Sequence, residues 1–244
     1  MKPLRLVLLG LGGLGCPAAL ALAEEARASG VALQLVLVDD DRVERGNLAR
    51  QILFREEDVG RLKAEAAAEA LRERFPGPLL ELQPRPLRFD AATAPLLLAQ
   101  ATVLLDGTDS FETRFLANDL ARAAALPLVH GAVLGWVGHL LTVVPGKGGC
   151  LRCLFEGPPP PGTVPACAEA GVVSPLCGLI GAAMAGEAML LLRGIPPLAP
   201  SRLLRWNGLS GTVRATAVPR DLSCTACAAA EPAASIPHEP RRSP

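Results

Sequence analysis

The apolar run LRLVLL (residues 4–9) ends abruptly in GLGGLG (residues 10–15), and this junction narrows the possible folds more than any other feature of the chain. A strand-length apolar run followed by glycines at this spacing predicts a β-strand, a tight turn and a helix whose free N–H groups point out of the turn. Gly10 allows the turn, Gly12 lets backbone approach a phosphate, and Gly15 lets the helix pack close to the sheet. With Gly13 they form a candidate phosphate cradle, because a helix N-terminus attracts negative charge.

The rest of the first half continues the rhythm. Strand-length runs at 4–9, 33–38, 79–83, 102–105 and 127–130 alternate with segments of helical period at 13–28, 59–74, 93–100 and 110–125. Alternation of this kind predicts an α/β fold, a Rossmann-like and mostly parallel sheet with helices on both faces. After His130 the pattern changes. Residues 132–144 carry Gly135 and Gly138 and predict antiparallel structure around a turn. Residues 156–165 hold five prolines and predict a loop, residues 176–193 a helix, and 202–208 with 212–219 a hairpin. The expected organisation is a nucleotide-binding half at 1–131, a second half of the same domain at 132–227, and a disordered tail at 228–244.

Lys plus Arg and Asp plus Glu each number 24, so no overall field recruits nucleic acid or an anionic membrane. The stretch 176–192 is nearly long enough to span a bilayer, but Glu187 and its small residues predict a helix buried in protein. No export signal precedes the first strand, and a cytoplasmic location is expected.

The second strand ends at Asp39, placed to accept hydrogen bonds from the hydroxyls of an adenosine ribose. To that point NAD and ATP fit equally well, and a nicotinamide-dependent oxidoreductase is the alternative reading. Hydride transfer asks the protein mainly to orient a ring. Attack on a phosphorus of ATP asks for cations and a metal around crowded negative charge. Asn47, Arg50 and Gln51 follow Asp39 closely, and Lys63 falls in the first turns of the next helix. Asp106 and Asp109 end the strand ATVLLDGTDS, where a carboxylate can hold Mg²⁺ and where Asp109 or Ser110 can cap the following helix.

Four of the seven cysteines form two C-x-x-C pairs, Cys150 with Cys153 and Cys224 with Cys227. Two residues between cysteines let both thiolates face one ion, and four thiolates suit a closed, structural, tetrahedral Zn²⁺ site. Cys167 follows the proline-rich loop, a place from which a nucleophilic thiol can approach a bound acyl adenylate. Cys16 and Cys177 are expected to be packing residues, and no chemistry is assigned to His130, His139 or His238.

The stretches GLGGLGCPAAL, VDDDRVERGNLARQ, VGRLKAE, LLDGTDSFETRFLANDL, CLRCLFEGPPPPGTVPACAEAGV and LSCTAC, in this order, resemble the MoeB/ThiF/HesA family, bacterial relatives of ubiquitin-activating enzymes. The resemblance implies adenylation, with ATP and Mg²⁺, of the C-terminal glycine of a small ubiquitin-like sulfur carrier ending in Gly-Gly. The carrier would serve molybdopterin, thiamin or a related sulfur pathway. It places Gly12 at the nucleotide, Asp39 at the ribose, Asn47, Arg50 and Lys63 at the phosphates, and Asp109 at the metal. Cys167 matches a cysteine that some members use for a covalent sulfur-transfer link. A homodimer is implied, with 132–144 and 176–193 as candidate contact surfaces, as is a sulfur donor such as a cysteine desulfurase. The family's N-terminal helical segment with an R-Y-x-R-Q-like element finds no match, since the first strand starts at residue 4. A non-catalytic scaffold that docks a ubiquitin-like protein is the corresponding alternative.

Overall fold

A computed structural model describes residues 4–160, 163, 171–197 and 200–228. Cys167 and the expected tail beyond Ala228 lie outside the described residues. The elements in chain order are β1 (Leu4–Leu9), α1 (Gly15–Ser29), β2 (Leu33–Val38), α2 (Lys63–Arg74), β3 (Leu80–Arg85), α3 (Ala94–Leu98), β4 (Val103–Asp106) and α4 (Phe111–Ala123). They continue with β5 (Leu128–Leu134), β6 (Val137–Val143), α5 (Leu151–Leu154), α6 (Ser174–Leu192), β7 (Arg202–Asn207), β8 (Thr212–Ala217) and α7 (Thr225–Ala228).

All eight strands belong to one sheet in the order β3-β2-β1-β4-β5-β6-β7-β8. β1 to β5 pair in parallel, and β5 to β8 pair antiparallel. The sheet divides two cores, as period-2 burial requires of strands covered on both faces. Leu6 and Leu8 of β1 and Leu33, Leu35 and Leu37 of β2 face α1, α2 and α6. Val7, Leu9, Val36 and Val38 face α4 and the helices beside it. β1 lies between β2 and β4, so the strand order reverses there and opens a crevice at the carboxyl ends of the strands.

The departures from expectation have local causes. The helix expected over 59–74 begins at Lys63, because Val43 N–H bonds the Arg61 carbonyl at 2.9 Å and Gly60 turns the chain at φ +91°. The helix expected over 93–100 is only Ala94–Leu98, closed off by Gln100 at φ +60°. β5 continues to Leu134 because β6 pairs along its whole length, so both halves of the chain share the sheet across residue 131. Gly135 makes the turn, at φ +54°, but Gly138 lies within β6. A Cβ there would come within 2.7 Å of Ile180, so Gly138 lets α6 lie down on the sheet.

α6 is long and apolar enough to cross a membrane, yet over half of its span is buried against α1, β5 and β6. Glu187 is 3% exposed and accepts a 2.7 Å hydrogen bond from the Thr142 hydroxyl on β6, which satisfies a polar group inside the core. Against α1 the contact is closest at Gly181, where a Cβ would stand 2.5 Å from the Leu14 carbonyl oxygen and 2.7 Å from Pro17.

Gly181→Ala should therefore cost about 1–3 kcal/mol of stability through overpacking against backbone that cannot retreat, read as a lower urea midpoint. Burial, with the Arg205 charge opposite on β7, pushes the His139 imidazole down to about 4. A folded-state pKa below the unfolded value of 6.5 stabilises above that value and is lost as pH falls toward 4. The denaturation midpoint should decline through that window, and His139→Phe should flatten the decline.

Candidate functional site

The crevice is a cleft of about 510 Å³ at the carboxyl ends of β1, β2 and β4. Its floor is the glycine turn. Gly10 takes φ +81°, and a Cβ on Gly15 would overlap the Gly10 carbonyl oxygen, so α1 can start here only with glycine at that position. The N–H groups of Gly12 and Gly13 donate to no other described residue, as expected of donors at a helix N-terminus. Asp39 fixes the turn sideways, accepting from Leu11 N–H at 2.6 Å and from Asp41 N–H at 2.9 Å. Burial pushes its carboxyl up, against the pull of Lys63 and of those two N–H groups.

The sequence-predicted cations converge on this turn. A Cβ on Gly13 would meet Cδ of Arg50 at 3.4 Å, and one on Gly12 would meet Nε2 of Gln51 at 4.0 Å. Arg50 is held over the turn by Asn47, whose Oδ1 accepts from Nη2 at 2.5 Å. Gln51 is 3% exposed, and its Oε1 is a buried acceptor without a partner among the described residues. Lys63 opens α2 and gives its ammonium to Asp41 at 2.7 Å. Burial works against that charge, but Asp39, Asp41 and Asp109 outweigh it and hold Lys63 above its ordinary value.

Asp109 lines the opposite wall with an exposed carboxylate that accepts no hydrogen bond from another described residue. The α4 cap is Ser110, whose Oγ accepts from Thr113 N–H at 3.3 Å, which leaves Asp109 open to the cleft. Sequence reasoning missed the support beneath it. Asp106 is wholly buried, accepts from Thr108 N–H at 3.1 Å and from its hydroxyl at 2.7 Å, and bonds His130 Nδ1 at 2.8 Å. Burial opposes its ionisation, yet His130, Arg114 and Thr108 hold it below the usual carboxylate range. Arg114, 8% exposed, donates Nε and Nη2 to the Thr108 carbonyl at 3.0 and 2.8 Å. Its place one turn after Ser110 was the available signal. His130, to which no chemistry was assigned, thus anchors the loop that carries Asp109.

Cys177 is buried, as expected of a packing residue, but its sulfur also reaches the cleft beside Gly13. Cys16 donates to the Leu11 carbonyl at 3.1 Å, and burial pushes its thiol up to about 12, so it is inert.

On the far side of the sheet the two C-x-x-C pairs meet. Cys150, Cys153, Cys224 and Cys227 bring all four sulfurs within 4.8 Å of one another. Cys150 lies 3.8 Å from Cys224 and 3.5 Å from Cys227, and Cys153 lies 3.6 Å from Cys227. A zinc–sulfur bond of about 2.3 Å gives a tetrahedron with edges of about 3.8 Å, so the donor set fits such an ion in both chemistry and size. Asn118 Nδ2 approaches the Cys150 sulfur at 3.6 Å, and Asp221 N–H the Cys153 sulfur at 3.4 Å, the outer contacts a metal site uses to orient its ligands.

Fold and site together define a Rossmann-like α/β protein with a charged glycine-turn cleft and a four-thiol cluster. Residues 1–226 match the ThiF family, and the chain belongs to it. It is 41% identical over 223 residues to the SAMP-activating enzyme E1 of Haloferax volcanii, covering 91% of this chain and 80% of that protein. It is 38% identical over 232 residues to the sulfur carrier protein adenylyltransferase of Thermus thermophilus, covering 93% and 83%. The crystal structure of E. coli MccB with ATP shares the fold at a TM-score of 0.77 and 22% identity, over 93% of this chain and 67% of that one.

Proposed function

We propose that this protein uses ATP to adenylate the C-terminal glycine of a small ubiquitin-like sulfur carrier, releasing pyrophosphate, for molybdopterin, thiamin or related sulfur-transfer biosynthesis. The observation that carries the reading is the placement of Arg50 directly on the glycine turn, in one cleft with Lys63 and Asp109. The turn and Asp39 alone suit a dehydrogenase equally well. Two cations and an open carboxylate beside the turn suit attack at phosphorus. The likeness to a SAMP-activating enzyme E1 and to a sulfur carrier protein adenylyltransferase supports the same reading.

In this reading Asp39 accepts from the ribose hydroxyls of ATP, and the Gly12 and Gly13 N–H groups receive phosphate oxygens. The tail carboxylate of the carrier attacks the α-phosphorus, an acyl–adenylate bond forms, and the bond to the β-phosphate oxygen breaks. Arg50 and Lys63 bind the oxygens on which charge accumulates. One cation at about 4 Å contributes on the order of 4 kcal/mol at an effective dielectric near 20, before desolvation. Asp109 would hold Mg²⁺, which supplies further neutralisation of the phosphates. Lys63 leaves Asp41 for a phosphate at little cost, because the Asp41 side chain is 70% exposed and rehydrates readily. Cys150, Cys153, Cys224 and Cys227 would hold a structural Zn²⁺ that ties the C-terminal segment to α4 and α5. Self-association belongs to the same reading, supported by Leu134, Trp136 and Leu179, which are exposed in or beside the two candidate contact segments.

With a Gly-Gly carrier present, the enzyme should exchange labelled pyrophosphate into ATP, and a carrier lacking the terminal glycine should not support exchange. Lys63→Ala should lower the exchange rate about 10²–10³-fold, and Asp109→Ala should abolish it. Carrier binding without exchange would establish the scaffold alternative instead. Elemental analysis should find one zinc per chain, lost together with a fall in melting temperature in Cys224→Ser/Cys227→Ser. Full zinc in that double variant would remove these cysteines from the site.

A further inference from the structure

Arg122 is a buried charge outside the nucleotide cleft. It occupies the last turn of α4 and is 3% exposed. Its Nε and Nη1 are enclosed with no hydrogen-bond partner among the described residues, and no described carboxylate pairs with it. A guanidinium does not shed its proton in a protein, so it cannot escape burial by becoming neutral. Such a charge persists in a core only where an opposite charge compensates it.

The surroundings identify that opposite charge. One helical turn earlier on α4, Asn118 contacts the Cys150 sulfur at 3.6 Å and accepts from Leu151 N–H at 3.0 Å. Residues four apart share a helix face, so Arg122 lies on the side of α4 that meets the cysteines. α7, which carries Cys227, and α5, which carries Cys153, both pack against α4. The neighbouring cations are already engaged. Arg152 is bound by both oxygens of Asp119 at 2.7 and 2.8 Å, and Arg220 donates to the Cys227 carbonyl at 2.9 Å from the exposed rim. Four thiolates around a divalent ion carry two net negative charges, whereas four neutral thiols carry none.

We propose that Arg122 is the resident counter-charge of the four-thiolate metal centre, a positioning residue that stabilises the loaded site and is left uncompensated when the metal is gone. The inference rests on the zinc reading above. It gives the buried guanidinium its partner and makes metal retention depend on a residue that is not a ligand.

The test measures zinc affinity at fixed pH by competition with a chromogenic chelator, and urea stability with and without zinc, in the wild-type full chain, Arg122→Lys, Arg122→Gln and Arg122→Met. Arg122→Met and Arg122→Gln should bind zinc about 10–100-fold more weakly, with Arg122→Lys recovering most of the loss. Without zinc, Arg122→Met should be at least as stable as the wild type, because the unpaired charge is gone. Should Arg122→Met fail to fold, Arg122→Gln, which keeps donors but not charge, decides the matter alone. Wild-type affinity in the uncharged variants overturns the proposal. So does an equal loss of stability with and without zinc, which would make Arg122 a packing residue. A wild-type chain that binds no zinc overturns the metal site itself and this inference with it, and that result is separate from any measured on Arg122.

Discussion

The contact between Gly15 and the Gly10 carbonyl sets the rest of the site. With no side chain between them, α1 is pressed against the end of β1, and its first turn faces the crevice. Gly181 repeats the device from outside, bringing α6 onto the Leu14 carbonyl and Pro17, so α1 is clamped between sheet and helix. The clamp places the helix N-terminus, and Asp39 locks it laterally through Leu11 N–H. A phosphate-sized ligand then meets donors whose positions were fixed by packing, before any charge is counted.

Charge decides what that cradle is for. Lys63 is buried, which alone would drive it toward neutrality, and three carboxylates around it prevent that. The balance is uneven by design of the chain order: Asp39 and Asp41 lie on one segment at the end of β2, while Asp109 comes from the loop after β4. A cation held between two walls of a cleft can serve a ligand that spans both. Arg50 contributes differently, since its position comes from Asn47 and from lying across Gly13 and not from an acidic partner.

Much of this was legible in the sequence because the glycine spacing, the strand-helix alternation and the C-x-x-C pairs each have one short-range physical meaning. Arg50, Lys63, Asp39 and Asp109 reach one cleft because βαβ units bring strand ends together, which a sequence reader can count on. What was not legible depends on contacts between distant segments. Gly138 looks like a turn signal until α6 is laid on it, and nothing local announces that Ile180 needs the space. The Asp106–His130 pair joins β4 to β5 through a register that the sequence does not print. Arg114 reads as a solvent-facing helix charge until Thr108 is seen to turn its carbonyl back over the first turn. Cys167 lies outside the described residues, and the structure adds nothing to its reading.

α4 joins the two chemistries of the molecule. Its N-terminal turn follows Asp109 and is capped by Ser110, and Arg114 ties that turn to the Thr108 carbonyl. Its C-terminal half carries Asn118, whose Nδ2 meets the Cys150 sulfur, and one turn further on the buried Arg122. A 13-residue helix spans about 20 Å at 1.5 Å per residue, and a helix resists bending over that length. A cluster that fixes one end therefore fixes the other, and the carboxylate at the mouth of the cleft inherits its position in part from sulfurs on the opposite face of the sheet. That mechanical link ties the four-thiol cluster on one face of the sheet to the mouth of the cleft on the other.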